Sequence, residues 1–347
     1  MRRPLAIVVT AVALLGAACG NDNSDLSGDL TSARADTTVS GRIRITGSST
    51  VEPISTLVGE AFRGQNGDVD TSVEGPGTGD GFERFCDGDA DITGASRPIE
   101  PDELEDCEAA GVEPIELAVG LDGVAVITSL DNDVDCLTFA DLYGLVGVEA
   151  QGVDRWTEAG EIAAELGSTT TMPDERLVLT GPGEESGTYD AFISIVLEAA
   201  AEPRVESGAV TEDEAGSARS DYASSADDNS IIESVAGDTG GLGWVGLSYA
   251  EQSGQVRLIP IAREPGDDCV APSRATVQDG TYPISRELFI YVSADAAERD
   301  EVAAFVDFYL AGLPDFLDLA DYVAQPDPEA TVARWEARVT GSDAQHD

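Results

Sequence analysis

Short apolar runs alternate with segments of helical spacing along most of this chain. Ile43 and Ile45 alternate with polar residues, and Ile54, Leu57, Val58, Ala61 and Phe62 then recur at helical spacing. The same reading predicts strands at 42–46, 69–73, 91–94, 113–119, 122–128, 176–180, 242–246, 256–261 and 286–293. Helices are predicted at 50–63, 79–87, 101–110, 137–146, 187–200, 230–237, 247–253, 297–311, 313–322 and 329–338. Such alternation implies an α/β fold with mostly parallel sheets. No repeat is evident. The acidic, Ser/Gly/Ala-rich stretch 201–229 reads as a long surface excursion.

Four loops share one chemistry. Gly47-Ser48-Ser49-Thr50-Val51-Glu52-Pro53 joins a strand to a helix, with hydroxyls ahead of a first-turn Glu and Pro. Gly75–Gly81, Gly94–Ile99 and Gly181–Thr188 are also rich in small residues after strands. In open α/β sheets, ligands sit at the carboxyl ends of strands. A helix start offers unpaired N–H groups and a positive dipole end, which suit an anion. Together the loops describe a site built of backbone amides and hydroxyls.

Composition narrows the chemistry. The chain has 347 residues, enough for two lobes with sizeable cores. Its formal net charge of −48 argues against nucleic acid and against an anionic membrane surface. All 19 basic residues are Arg, and the single His is His346, beside the C-terminus. A Ser nucleophile therefore lacks its usual His or Lys base, and nucleotide loops and pyridoxal chemistry lack their Lys. Ser186 does not sit in a Gly-x-Ser-x-Gly elbow. Paired carboxylates remain open for a hydrolase, but they cannot be picked out of 67 acidic residues. Asp227-Asp228-Asn229 lacks the Gly and distal Glu of a calcium loop and reads as a helix cap. No metal and no cofactor is expected.

The N-terminus reads as a processing segment. Arg2 and Arg3 precede the apolar run 5–15, and Gly16-Ala17-Ala18-Cys19 then resembles a lipoprotein cleavage site. Residues 1–18 would be the signal peptide, Cys19 the lipid-bearing residue, and 19–41 a flexible tether. Ordinary secretion is the alternative. The other cysteines, Cys86, Cys107, Cys136 and Cys269, suggest disulfides in an exported chain, and four cysteines allow three pairings. Cys86–Cys107, closing a short loop, with Cys136–Cys269 is the favoured one.

The ordered set of motifs resembles the phosphate-binding lipoproteins of bacterial ABC transporters, in the periplasmic-binding-protein superfamily, type II. The matching pieces are Thr46–Pro53, Gly77–Phe85, Ala90–Ile99, Asp122–Val126, Gly181–Phe192, Asp227–Asn229, Gly241–Tyr249, Val270–Ser273 and Tyr282–Val292. The resemblance implies two α/β lobes joined by a hinge, with the ligand in the interlobe cleft. Lobe one would be 42–124 with the return 270–347, and lobe two 125–269, which would place Cys136–Cys269 near the hinge. It implies capture of inorganic phosphate by a monomer, without catalysis, on the extracytoplasmic face of the cell membrane. The partners would be the ABC permease subunits with their ATPase, and the membrane through the lipid alone. A carboxylate-based hydrolase, or an oxyanion sensor on the same fold, is the alternative.

Carried over residue by residue, Ser49, Thr50 and the Val51 amide match the first loop. Thr78 with the Gly79 amide matches the second, and Ser96 the third. Ser186, the Gly187 amide and Thr188 match the fourth. This chain has Arg97 where the best-known members have an Asp, and Pro182 where they have an Arg. Arg97 is therefore expected to be the counter-charge. Glu184, with Glu185 as rival, is expected to accept the phosphate proton, and a carboxylate acceptor would reject fully ionised sulfate. Arg286, beside Ser285, is expected to be structural.

Overall fold

The computed structural model describes residues 38–341 apart from Glu185. The expected signal peptide, Cys19 and most of the tether lie outside them, as does His346. Within this range the first lobe opens with β1 (Gly41–Gly47), α1 (Glu52–Gln65), β2 (Val69–Val73), α2 (Thr78–Cys86), β3 (Ile92–Ala95) and α3 (Pro101–Ala110). β4 (Pro114–Ser129) follows, then β5 (Leu137–Thr138), α4 (Phe139–Val146), α5 (Trp156–Glu165) and β6 (Val178–Gly181). Next come α6 (Gly187–Phe192), α7 (Glu198–Ser207), α8 (Glu212–Ala215), β7 (Ala223–Ser224), α9 (Asp228–Ala236), β8 (Gly241–Gly246) and α10 (Leu247–Ser253). The chain ends through β9 (Val256–Leu258), β10 (Ile261–Ala262), α11 (Arg274–Gln278), β11 (Ser285–Ser293) and α12 (Ala294–Ala297). Three further helices, α13 (Asp300–Ala311), α14 (Leu313–Leu319) and α15 (Pro328–Ala337), close it.

One curled sheet runs through the molecule in the order β2-β1-β3-β11-β4-β8-β6-β7, with β9 also on β4. β1 is parallel to β2 and β3, and β6 is parallel to β8 and β7. Between these parallel halves, β11 and β4 run antiparallel to their neighbours. The two predicted strands at 113–119 and 122–128 are thus one 16-residue strand.

That strand changes core partway along. Ile115, Leu117 and Val119 pack in one core with α1, α13 and α14, whereas Val124, Val126 and Ile127 pack in another with α4, α9 and β8. β11 alternates cleanly. Leu288, Ile290 and Val292 face the first core, while Phe289 and Tyr291 join α2 and α3 on the opposite face. The molecule is two-lobed, and β4 and β11 cross between its cores.

Differences from the pattern have local causes. The stretch 201–229 is not one excursion: it carries the end of α7, then α8 and β7. Only Ala201 is buried in α7 and Pro203 lies inside it, so little apolar periodicity marks it. α5 was not foreseen because its buried stripe is Trp156, Ala159 and Ala163, small residues apart from the Trp. The predicted 256–261 strand is split into β9 and β10, which pair with different partners. Both favoured disulfides form, Cys86–Cys107 and Cys136–Cys269.

In the second lobe, fully buried Asp141 gathers four donors. Its carboxylate accepts from the Thr138 amide and hydroxyl at 2.8 Å each, from Ser168 Oγ at 2.5 Å and from Thr170 Oγ1 at 2.6 Å. It thereby caps α4 and ties the 168–170 loop to it. Asp141→Ala leaves these donors without their acceptor and is expected to cost about 2–4 kcal/mol. Urea unfolding followed by circular dichroism checks this; a midpoint unchanged from the parent would contradict it.

Candidate functional site

The site forms where the loop after β1, the starts of α2 and α6, the end of β3 and the crossover strands meet. Close packing dictates the small residues. Gly47 has φ +123°, and a Cβ there would fall 2.1 Å from the Gly94 carbonyl oxygen. A Cβ on Gly94 would sit 2.8 Å from Val51 Cγ1, and one on Gly81 2.4 Å from Gly47 Cα. The loops are stitched by main-chain bonds, Ser48 N to Gly94 O at 2.8 Å and Gly77 N to Gly47 O at 3.0 Å. Glycine is required because backbones touch.

This packing brings hydroxyls together. Thr78 Oγ1 lies 3.1 Å from Ser96 Oγ and accepts from the Ser96 amide at 3.3 Å. Both line a cavity of about 760 Å³ with Ser48, Ser49, Arg97 and Arg286. A second cavity, of about 670 Å³, lies on the other side of Ser49 and is lined by Ser186, Gly187, Thr188 and Asp122. Both lie in the cleft between the lobes.

Between the cavities the lobes touch. Ser49 Oγ donates to Asp190 Oδ2 at 2.5 Å, and Thr50 Oγ1 donates to the Gly187 carbonyl at 3.3 Å. A Cβ on Gly187 would meet Thr50 Oγ1 at 2.7 Å. Arg286 Nη2 donates to Thr50 Oγ1 at 2.5 Å and to Gly187 O at 3.1 Å, so one guanidinium reaches both lobes. Its Nε lies 3.5 Å from Asp122 Oδ2, and both side chains are nearly buried. The Tyr322 hydroxyl donates to Thr50 O at 2.5 Å, holding that loop from the C-terminal side. Burial pushes the Asp122 carboxyl up and Arg286 pulls it back down.

The expected site residues therefore separate into two groups. Ser49, Thr50, Thr78, Ser96, Ser186, Gly187 and Thr188 line the cleft or the contact across it. Val51 is buried with its amide on Ser48 O, while Gly79 stands in the first turn of α2. Arg97 reaches the wall of the larger cavity, but Nη1 and Nη2 donate to the Glu103 carboxylate at 2.8 Å each. Its Nε also contacts Glu100 at 3.3 Å, and the guanidinium lies over the Phe82 ring. The Glu103 hydrogen bond holds the Arg97 guanidinium above its usual range. Glu184 is exposed and lines neither cavity.

Other charged groups that line the two cavities include Arg286, Asp122, Asp190 and Asp228. Sequence reading assigned Arg286 a structural role and Asp228 a place in a helix cap, and it did not single out Asp122 or Asp190 as site residues. Arg286 of β11 is paired directly with Asp122 of β4, and strand pairing between distant segments is not readable from local pattern.

Comparison with known proteins agrees with this fold. Residues 32–312 match the model of a family described as a PBP superfamily domain. Protein SphX of Synechococcus elongatus is 35% identical over 301 residues, covering 85% of this chain and 82% of that protein. Phosphate-binding protein PstS of Staphylococcus epidermidis is 30% identical over 322 residues, covering 92% and 87%. The crystal structure of a possible phosphate binding protein from Planctomyces limnophilus matches with a TM-score of 0.74 at 33% identity. It covers 87% of this chain and all of that one.

Gly47→Ala is the direct test of the packed loops. The added methyl meets backbone at a positive φ, so a loss of about 2 kcal/mol or more is expected. A thermal midpoint equal to the parent's would show that the loops do not need this contact.

Proposed function

The chain belongs to the PBP superfamily, and we propose that it is an extracytoplasmic receptor that captures inorganic phosphate for an ABC importer, without catalysis. The observation that carries this reading is Arg286. It is a nearly buried cation between two hydroxyl-rich helix starts, bonded to Thr50 of one lobe and Gly187 of the other. Hydroxyls of Thr78, Ser96, Ser186 and Thr188, with the amides of Gly79 and Gly187, supply neutral donors around it, and Ser49 and Thr50 join them when a ligand replaces their contacts to Asp190 and Gly187. A tetrahedral oxyanion suits that set, because each oxygen accepts several hydrogen bonds and Arg pairs with two oxygens at once.

Arg286 takes the role that sequence reading expected of Arg97, whose donors are held by Glu103. Asp122 takes the role expected of Glu184. Asp122 lines the smaller cavity beside Arg286 and is the carboxylate placed to accept from a proton-bearing phosphate oxygen, whereas sulfate at neutral pH offers no such donor. The two cores support a division at about 120–124, where β4 changes core. The return crossover falls near 284 rather than 270, since Val277, Tyr282 and Ile284 pack with the second lobe. Attachment through a lipid at Cys19 and action as a monomer complete the proposal.

Calorimetry of the dialysed protein with phosphate and sulfate tests it. Phosphate is expected to bind and sulfate to bind at least about a hundredfold more weakly, as a buried unpaired acceptor demands. Arg286→Ala is expected to weaken phosphate about a hundredfold or more, and Arg97→Ala by less than about fivefold. No heat with phosphate would refute the function. Loss of binding in Arg97→Ala with retention in Arg286→Ala would refute the placement of the cation.

A further inference from the structure

A third segment, besides β4 and β11, passes between the two cores. Residues 320–325 follow α14 and turn at Asp321, whose φ of +61° is the left-handed conformation that Asp tolerates better than most residues. The segment then runs antiparallel along β4. Leu121 N donates to Val323 O at 2.8 Å, and Val323 N donates to Leu121 O at 2.9 Å. Leu121 is also the register partner of Glu287 in β11, so β4 is flanked there by β11 on one edge and by this segment on the other.

The segment changes core at the level where β4 does. Tyr322 packs against the first core, whereas Val323 belongs to the second, together with Leu121 and Val124. Its hydrogen bonds divide in the same way. Toward the first lobe, the Tyr322 hydroxyl donates to Thr50 O and Gln325 Nε2 donates to Ala118 O, both at 2.5 Å. From the second lobe, Ser248 Oγ of α10 donates to Asp321 O at 2.6 Å and Gln278 Nε2 of α11 donates to Ala324 O at 3.0 Å. Leu247 and Val277, next to these two donors in the chain, are buried in the second core. Hinge motion turns lobes about the chains that cross between them. A segment bonded to both lobes at the level of the crossovers turns with them.

We propose that residues 320–325 form a third hinge strand, and that Tyr322 is a positioning residue that ties the Thr50–Val51 peptide to the movement of the second lobe. Thr50 O and Val51 N lie in one peptide plane, so a bond that fixes the carbonyl also fixes where the amide points. Arg286 holds the same residue by its hydroxyl. Opening of the second lobe pulls on Asp321 and Ala324 through Ser248 and Gln278. Tyr322, between those two residues in the chain, carries the displacement to the loop. What the loop binds rests on the phosphate reading above; the hinge strand does not.

Two variants test it, each removing one hydroxyl: Tyr322→Phe, which frees Thr50 O, and Ser248→Ala, which frees Asp321 O. Ser248 lines neither cavity of the cleft. In calorimetry with inorganic phosphate, Tyr322→Phe is expected to weaken binding about fivefold or more and Ser248→Ala about threefold or more, as loss of one hydrogen bond each implies. The double variant is expected to bind no more weakly than Tyr322→Phe, because both changes cut one path, whereas independent losses would multiply. Small-angle X-ray scattering of the phosphate-free protein is expected to give both variants a larger radius of gyration than the parent. Parent-like phosphate affinity in Ser248→Ala, multiplied effects in the double variant, or a parent-like radius in both single variants overturns the hinge strand and leaves the phosphate reading standing. Absence of phosphate binding in the parent overturns the phosphate reading, and the radius alone then decides the hinge strand.

Discussion

The arrangement depends on one pairing: Arg286 and Asp122, facing each other on the two strands that cross between the lobes. A charge held this far from water is costly unless it is matched, and here the match is incomplete. Arg286 Nε and Asp122 Oδ2 are 3.5 Å apart and neither has a hydrogen-bond partner. A residual demand for polar contact therefore sits at the hinge, the one place both lobes share. Arg286 meets part of it by donating to Thr50 and Gly187, one from each lobe. The charge pair thus sits where the two lobes are tied together.

Around this pair the backbone does most of the remaining work. Gly47, Gly81 and Gly94 let the loop after β1, α2 and β3 approach until main chains touch, and Gly187 does the same for α6 against Thr50. Side chains at these positions would hold the loops apart and move the hydroxyls out of reach of one another. The Thr78–Ser96 contact at 3.1 Å exists because the glycines permit it. Neutral donors placed in this way do not repel one another and need no counter-charges, so they crowd together where several cations could not.

Much of this was legible in the sequence, and the limit is physical. The α/β class followed from alternating periods, and the hydroxyl loops from small residues after strands, since both signals are local. The two disulfides followed from export and from loop length. The cation did not. Arg97 stands in a loop of the right composition, while Arg286 stands in a strand, and local composition favoured the former. What separates them is that Glu103, six residues along, folds back in the capping box of α3 and holds the Arg97 guanidinium. Arg286, by contrast, acquires its neighbours only when β11 pairs with β4. Glu184 is exposed and lines neither cavity for the same reason, because exposure is decided by tertiary packing. Where a site is made by loops its sequence shows it, and where it is made by register it does not.

A chain of formal charge −48 that is proposed to hold an anion poses an electrostatic question with two scales. At physiological salt the Debye length is about 8 Å, so the scattered surface carboxylates act weakly on the cleft. Amides, hydroxyls and one guanidinium at contact distance outweigh them. The same screening cannot excuse Asp122, Asp228 and Asp321, which line the cleft itself and act through protein rather than salt water. The surface acids can therefore be dismissed from an account of binding, and the cleft acids cannot. On the proposed reading, Asp122 selects a proton-bearing oxyanion, while the hydroxyl loops and Arg286 supply the affinity for the phosphate group.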